Sequence, residues 1–354
     1  MKAFFIKYRF LFFLFFLAVS IRLPMLLRMN YADFPEYYRD YHMAQRVIHG
    51  PLPLYGPPSM QANFHFGPVY YYFLAPLMLI SNGHPASLLL TSIIFYALSG
   101  IAFYKLLRLW FKNEAVAKFG SLFYTVSIYG IQLNSYVSNP NFLPLWVILF
   151  FIFLTKILTD GKNLKNYFYL GSVYSVAAQM HLTAALVLPA AAILPIITER
   201  KQLFAFTQKL KAFWLLFFGL LLPTLPYLIA EVKTRFNGFL SLLAFSQQTM
   251  QAKNSFLALG VLEDFFQGSL NPFFMGSSYS YIQPIWLYYF ISAAMVLLII
   301  SFIIAVRRGK FSLRGPKKII SDIGLYVCIG WLFWETLLLI TFNKSPHSYY
   351  LIVL

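Results

Sequence analysis

The sequence predicts an all-α, polytopic transmembrane helical bundle of about nine spans plus a truncated one. Three observations predict it. Hydrophobic residues fill 60% of the 354 positions and charged residues only 11%. Several apolar runs approach the roughly 20 residues that a helix needs to cross a bilayer. Aromatic residues reach 20%, which suits helix packing and interfacial belts. A water-soluble domain could not hide so much apolar surface.

Lys and Arg number 28 against 11 Asp and Glu, a formal charge of +17. That balance would suit nucleic acid, but no basic helix or recognition motif accompanies it, so no nucleic-acid partner is expected. The basic residues lie in short loops between apolar runs, where they orient a membrane protein. The single cysteine, Cys328, excludes an intrachain disulfide and a two-cysteine metal site. The six histidines lack metal-ligand spacing.

The spans follow in order. Phe10–Leu27 continues a signal-peptide-like start (Lys2, Lys7, Arg9, then an apolar core) without a clear cleavage site, and reads as an uncleaved signal anchor. Ser87–Trp110, Val116–Gln132 and Leu143–Leu158 come next. Tyr167–Ile197 is too long for one helix and too short for two full ones; a pair of short tilted helices meeting near Gln179–Thr183 fits it. Phe213–Ile229, Ile285–Val306 and Ile320–Phe342 complete the set. Pro68–Ser81 is apolar but short, with Pro68 at its start and Pro76 inside, and is expected to be interfacial or re-entrant. The chain stops at His347–Leu354 as another apolar run begins, which reads as a fragment or an early stop.

With the N-terminus cytoplasmic, twenty of the 28 basic residues fall in inner segments and eight, Arg22 near the end of the first run among them, in outer ones. Counting Pro68–Ser81 as a span would invert every later loop and destroy that agreement. The expected layout is one membrane-integral domain over residues 1–354, with a first periplasmic loop at 28–82 and a second at 231–284. Localisation is then the inner (plasma) membrane, multi-pass, with the active site periplasmic and membrane lipids as its surroundings. The outer face collects Arg28–Phe66, Asn134–Asn141, the Gln179–Thr183 apex and Glu231–Gln283. No internal repeat is visible, which argues against a transporter built from inverted repeats.

The first outer loop concentrates charge. Asp33, Glu36, Arg39, Asp40, His42, Arg46, His49 and His65 fall within about forty residues. Ionisable groups beside a membrane are costly to desolvate and tend to be functional. On a helix Glu36 and Asp40 are i and i+4, so the two carboxylates are expected on one face, with Arg39 one position off it. Farther on, His65-Phe66-Gly67-Pro68-Val69-Tyr70-Tyr71-Tyr72 turns a loop into an aromatic, membrane-dipping helix.

In these residues the chain resembles the membrane-integral, C-type glycosyltransferases of the protein O-mannosyltransferase kind (family 39 and its bacterial relatives, among them lipid A aminoarabinose transferases). That family's first outer loop carries an Asp-Glu or Asp-Gln pair, an Ala-Arg helix ending at Gly and a His-Pro-Pro-Leu-Tyr-Tyr-Tyr stretch. Here Arg39 and Asp40 resemble a bacterial variant reading Asp-Gln-Gly-Arg-Asp, and Pro53–Pro58 and Phe64–Pro76 resemble that variant more closely still. Asn139-Pro140-Asn141 and His181-Leu182-Thr183 resemble recurring outer-face positions. Registering on Ala44 and Gly50 places Glu36 where the family has aspartate, one methylene longer, with Asp33 a turn earlier.

The resemblance implies transfer of a sugar from a polyprenyl-phosphate donor to a lipid, glycan or protein acceptor, with inversion. Glu36 and Asp40 are the candidate catalytic carboxylates. Asp33, Arg39, His65, Tyr70, Asn139, Asn141, His181 and Arg235 are the candidate substrate-binding residues, and Tyr70–Phe73 is a candidate groove lining for the lipid chain. Bland roles stand beside these: a solvated ion-paired helix face for Glu36, Arg39 and Asp40, turn capping for His65, Asn139 and Asn141, helix packing for His181, and an interfacial belt for Tyr70–Tyr72. Glu335 lies mid-span, far from the outer loops. No cofactor is expected; the acidic loop leaves room for a divalent cation, but nothing fixes its ligand geometry. A lipid or polysaccharide transporter and a catalytically inactive scaffold are the alternatives. The orientation is testable: reporter fusions after Lys112, Asn139, Lys162 and Lys253 are expected to read inside, outside, inside and outside, and a cytoplasmic signal after Asn139 overturns the assignment.

Overall fold

The computed structural model describes residues 2–28, 35–59, 64–127, 130–131, 136–160, 162–198 and 206–251, with Gly324. Among them every regular element is helical, and extended chain pairs only at a bridge between Pro58 and His65. The expected spans Ile285–Val306 and Ile320–Phe342, with Cys328, Glu335 and the C-terminal apolar run, lie outside the described residues.

Ten α-helices and one 3-10 turn are described: α1 (Lys2–Arg28), α2 (Pro35–His49), α3 (Val69–Ile80), α4 (Ala86–Phe111), α5 (Glu114–Val126), the 3-10 turn Asn139–Phe142, α6 (Leu143–Thr159), α7 (Lys165–Met180), α8 (Leu182–Thr198), α9 (Phe206–Lys233) and α10 (Asn237–Gln251). Four segments are long and apolar enough to cross a membrane: Tyr8–Leu26, Ala86–Phe111, Asn139–Thr159 and Gln208–Lys233. α5 covers the third expected span as far as Val126 and residues 130–131 are helical again; residues 128–129 and 132 lie outside the described residues. The expected pair of short helices is present as α7 and α8, which part at His181, a residue in extended conformation.

α3 does not cross. Its 12 residues make a rod of about 18 Å at 1.5 Å per residue, short of a ~30 Å hydrocarbon core. Both its ends are tied to α2: the Tyr70 hydroxyl donates to Asp40 near the start, and the Tyr41 hydroxyl donates to the Gly83 carbonyl (2.9 Å) just past the end. Gly83, at φ +76°, turns the chain back into α4.

Arg22, assigned above to the outer flank of the first run, is instead fully buried among α1, α4 and α5. Its guanidinium donates to the Ala18 and Thr125 carbonyls, each at 3.1 Å, and lies 3.9 Å from the centroid of the Tyr96 ring. Tyr96 in turn stacks on Tyr124. Carbonyl dipoles and a ring face keep the cation solvated inside an apolar bundle.

α7 and α9 approach more closely than side chains would allow. A Cβ on Gly171 would collide with the Leu216 carbonyl, and one on Gly219 with the Phe168 carbonyl. Small residues let helix backbones touch where no hydrophobic drive separates helix from lipid. The neighbours are backbone atoms and cannot rotate away. Gly171→Ala and Gly219→Ala are each expected to destabilise the fold by about 1–3 kcal/mol, the usual scale of overpacking, read as a lowered thermal-aggregation midpoint in detergent; unchanged midpoints would show that the contact is slack.

Candidate active site at the α2 end of the bundle

The four expected outer segments meet at one end of the bundle. The first loop reaches the end of α9 through Tyr55, whose hydroxyl lies 2.8 Å from Thr234 Oγ1. It reaches the α7–α8 break through Phe66, stacked on His181 with ring centroids 6.1 Å apart. Asn139, on the 3-10 turn, donates from Nδ2 to the Met180 carbonyl at that same break.

α2 sets which charges face inward. Tyr37, Asp40 and Ala44, at i, i+3 and i+7, are buried against the neighbouring helices, while Glu36, Tyr38, His42, Arg46 and His49 are exposed. The Tyr37 hydroxyl donates to the Pro85 carbonyl, fixing the helix at the start of α4. The expected shared face of Glu36 and Asp40 therefore divides: Asp40 is 0% exposed, and Glu36 stands on the open rim. The two carboxylates still interact, since Glu36 adds to the upward push of burial on the Asp40 carboxyl, but a buried stripe centred on residues 37, 40 and 44 leaves position 36 at its flank.

Asp40 is held on both oxygens. Arg39 donates from Nε to Oδ1 (2.8 Å), with Nη2 also 2.8 Å from Oδ1, and the Tyr70 hydroxyl donates to Oδ2 (2.8 Å). Arg39 keeps about a third of its side chain exposed, at 32%, and also engages Tyr71. Burial pushes the Asp40 carboxyl up to about 6, against the opposing pull of Arg39 and the Tyr70 bond. Burial works against the Arg39 charge too, yet the adjoining carboxylate leaves its pKa raised.

The other candidates occupy two neighbouring clusters. Exposed His65 bonds through Nδ1 to the Gly56 carbonyl (3.1 Å) and lies beside Tyr55, in a hairpin closed by Gly56 N–H to Phe66 O (2.8 Å) and Phe66 N–H to Pro57 O (2.9 Å). Arg235, exposed and left-handed at φ +56°, follows Thr234, the residue that meets Tyr55. His181 is buried; its Nδ1 accepts from the Thr183 N–H (3.3 Å) and meets the Thr183 hydroxyl (2.7 Å), which places the proton of a neutral ring on Nε2. Asn141 is buried, donating to the Tyr136 carbonyl (2.6 Å) and accepting from Ser138 (3.0 Å), so its amide shapes the turn. Asp33 lies outside the described residues.

Two expectations change. Tyr70 and Tyr71 are core residues, not groove lining, because α3 turns them toward α2. Tyr72 is half-buried and donates to the Pro53 carbonyl (2.6 Å), and Phe73 stacks on Trp146, so this run packs the bundle. Sequence reasoning missed Tyr55, Gln179 and Glu231. Gln179 is buried where Gly67 passes with no room for a Cβ, and it donates to the Pro223 carbonyl (3.0 Å). Glu231, an acidic residue ending a long apolar run, was the one with a readable signal. No group of three or more His, Cys, Asp or Glu able to hold a metal occurs among the described residues.

Apolar helices capped at one end by a polar, aromatic rim frame a membrane-integral protein. Residues 65–229 match the family model described as dolichyl-phosphate-mannose-protein mannosyltransferase, which supports the family resemblance read from the motifs. The match indicates a membrane glycosyltransferase of that type; it begins at His65 and so leaves α2 outside. No curated protein and no solved structure matches the chain.

The Asp40 shift has a sign that can be tested without any substrate. A carboxyl raised from 3.8 to about 6 holds its proton more tightly folded than unfolded. Its contribution to stability therefore falls as pH rises from about 4 to about 6 and is level above. The thermal midpoint of the wild type, minus that of Asp40→Asn, should decline across this window; a flat difference would mean that Asp40 ionises like an exposed carboxylate.

Proposed function

We propose that the protein transfers a sugar from a polyprenyl-phosphate-linked donor to a lipid, glycan or protein acceptor at the periplasmic face, with Glu36 as the general base. The observation that carries this assignment is the contrast on α2. Asp40 is buried with both oxygens engaged, so it offers no exposed edge to an incoming acceptor. Glu36, one turn earlier, is exposed at the rim and occupies the position where the resembled family has an acidic residue.

In the proposed step Glu36 takes the proton of the acceptor hydroxyl as its oxygen bonds to the anomeric carbon. The bond from that carbon to the phosphate oxygen breaks with inversion, and polyprenyl phosphate leaves with the electron pair. Arg39, oriented by Asp40, meets the growing phosphate charge through its exposed edge; a guanidinium suits phosphate because it donates to two oxygens at once. Asp40 and Tyr70 act through Arg39 as positioning residues. The four polar segments at the α2 end and the family match support the reading.

The test is turnover of polyprenyl-phosphate-sugar in detergent, without sealed vesicles, which separates transfer from transport. Glu36→Gln is expected to lower turnover by about two to four orders of magnitude, the range for a lost general base, with donor affinity kept. Glu36→Asp should remain active. Wild-type turnover in Glu36→Gln would remove Glu36 from the chemistry and return the scaffold reading.

A further inference from the structure

We propose that Glu231 is a positioning residue: it fixes the end of α9 as a dock for the first outer loop, and so shapes the donor site. The functional half of this proposal rests on the transferase reading above.

Glu231 is only 2% exposed, although it closes an apolar, membrane-length helix. A carboxylate there is retained only if something holds it. Its Oε2 accepts the Phe239 N–H (3.2 Å), in the first turn of α10, where free backbone donors and the helix dipole favour a negative charge. Gly238 makes the approach feasible, since a Cβ there would collide with Oε1. The Tyr227 phenol lies close enough to feel the charge of the same carboxylate, whose Oε1 has no hydrogen-bond partner among the described residues.

A helix cap would need nothing more, yet the same helical face carries a second set of contacts. Tyr227, Glu231 and Thr234 fall at i, i+4 and i+7 on one stripe of α9 and the turn that ends it. Tyr55 of the first loop sits across the stripe, with its ring edge-on to Tyr227 (5.8 Å, 81°) and its hydroxyl on Thr234. Thr234 already donates to the Ala230 carbonyl (3.1 Å), so Tyr55 is the donor in that pair. The other side of Tyr55 lies against His65. Glu231 thus orders the ridge that receives Tyr55, and Tyr55 places the hairpin carrying His65. The turn presenting Arg235 hangs from the same ridge.

Two readouts test this. Hydrogen exchange at the Gly56 and Phe66 amides, which close the hairpin, reports docking without reference to activity. In Glu231→Ala and in Tyr55→Phe both amides should exchange faster than in the wild type. Tyr55→Phe keeps the ring contacts and removes only the hydroxyl, so it preserves the core if Glu231→Ala fails to fold. The KM for polyprenyl-phosphate-sugar should rise in both variants with kcat nearly unchanged, by up to the order of 10²-fold that a misplacement of about 1 Å costs. Glu231→Gln, which can still accept from Phe239, should recover most of the wild-type KM. Unchanged exchange overturns the docking, and faster exchange with an unchanged KM overturns the positioning role. If the wild type consumes no donor, the transferase reading fails, while docking is still decided by exchange.

Discussion

One carboxylate organises the candidate site. Asp40 has no exposure and bonds through both oxygens, to Arg39 on its own helix and to Tyr70 on α3. A buried charge is tolerated only when its lone pairs are met. That requirement holds α2 against α3 in one register. It also fixes the direction of the Arg39 guanidinium, which emerges from the pair still partly exposed. The rest of α2 follows, with Tyr37 and Tyr41 bonding to backbone carbonyls at the start of α4.

From this anchor the first loop connects to segments far away in sequence. Tyr55 meets the end of α9, Phe66 meets His181, and Gly67 passes over Gln179. Most of these contacts use aromatic rings or carbonyl acceptors. This suits a rim between apolar helices and polar surroundings, where amphipathic rings satisfy both sides. The Gly171–Gly219 crossing sets the spacing beneath, because it holds α7 and α9 at backbone contact. The Gln179 end of one helix therefore stays beside the Pro223–Thr234 stretch of the other.

Much of this was legible in the sequence. Hydropathy located α1, α4, α6 and α9, and the length of Tyr167–Ile197 required a break near His181. Charge density singled out α2. What remained hidden was which face each helix turns inward. Spacing alone makes Glu36 and Asp40 neighbours, but only the packing of Tyr37 and Ala44 decides that Asp40 goes in and Glu36 stays out. Tyr70 and Tyr71 read equally well as groove or core until α3 is laid along α2. Arg22 looked like a flanking charge because its solvation by Tyr96 and Thr125 depends on residues some 75 to 100 positions away. Tyr55 sits inside the Pro53–Pro58 stretch, but its partners exist only in three dimensions.

Burial also divides the labour among the acidic residues. A carboxylate that accepts a proton from an incoming acceptor must be reachable, whereas one that fixes neighbouring elements is most effective when water is excluded. Asp40 and Glu231 have the second character. Each is almost fully buried: Asp40 accepts from the Tyr70 hydroxyl, and Glu231 accepts from the Phe239 N–H with the Tyr227 phenol nearby. Asp40 also stands beside a cation left partly on the surface, Arg39. Glu36 has the first character, on the open rim at the start of α2. A buried carboxylate bonded on both oxygens beside a partly exposed arginine, with an exposed glutamate on the same rim, is an arrangement that would suit an anionic leaving group and a neutral acceptor.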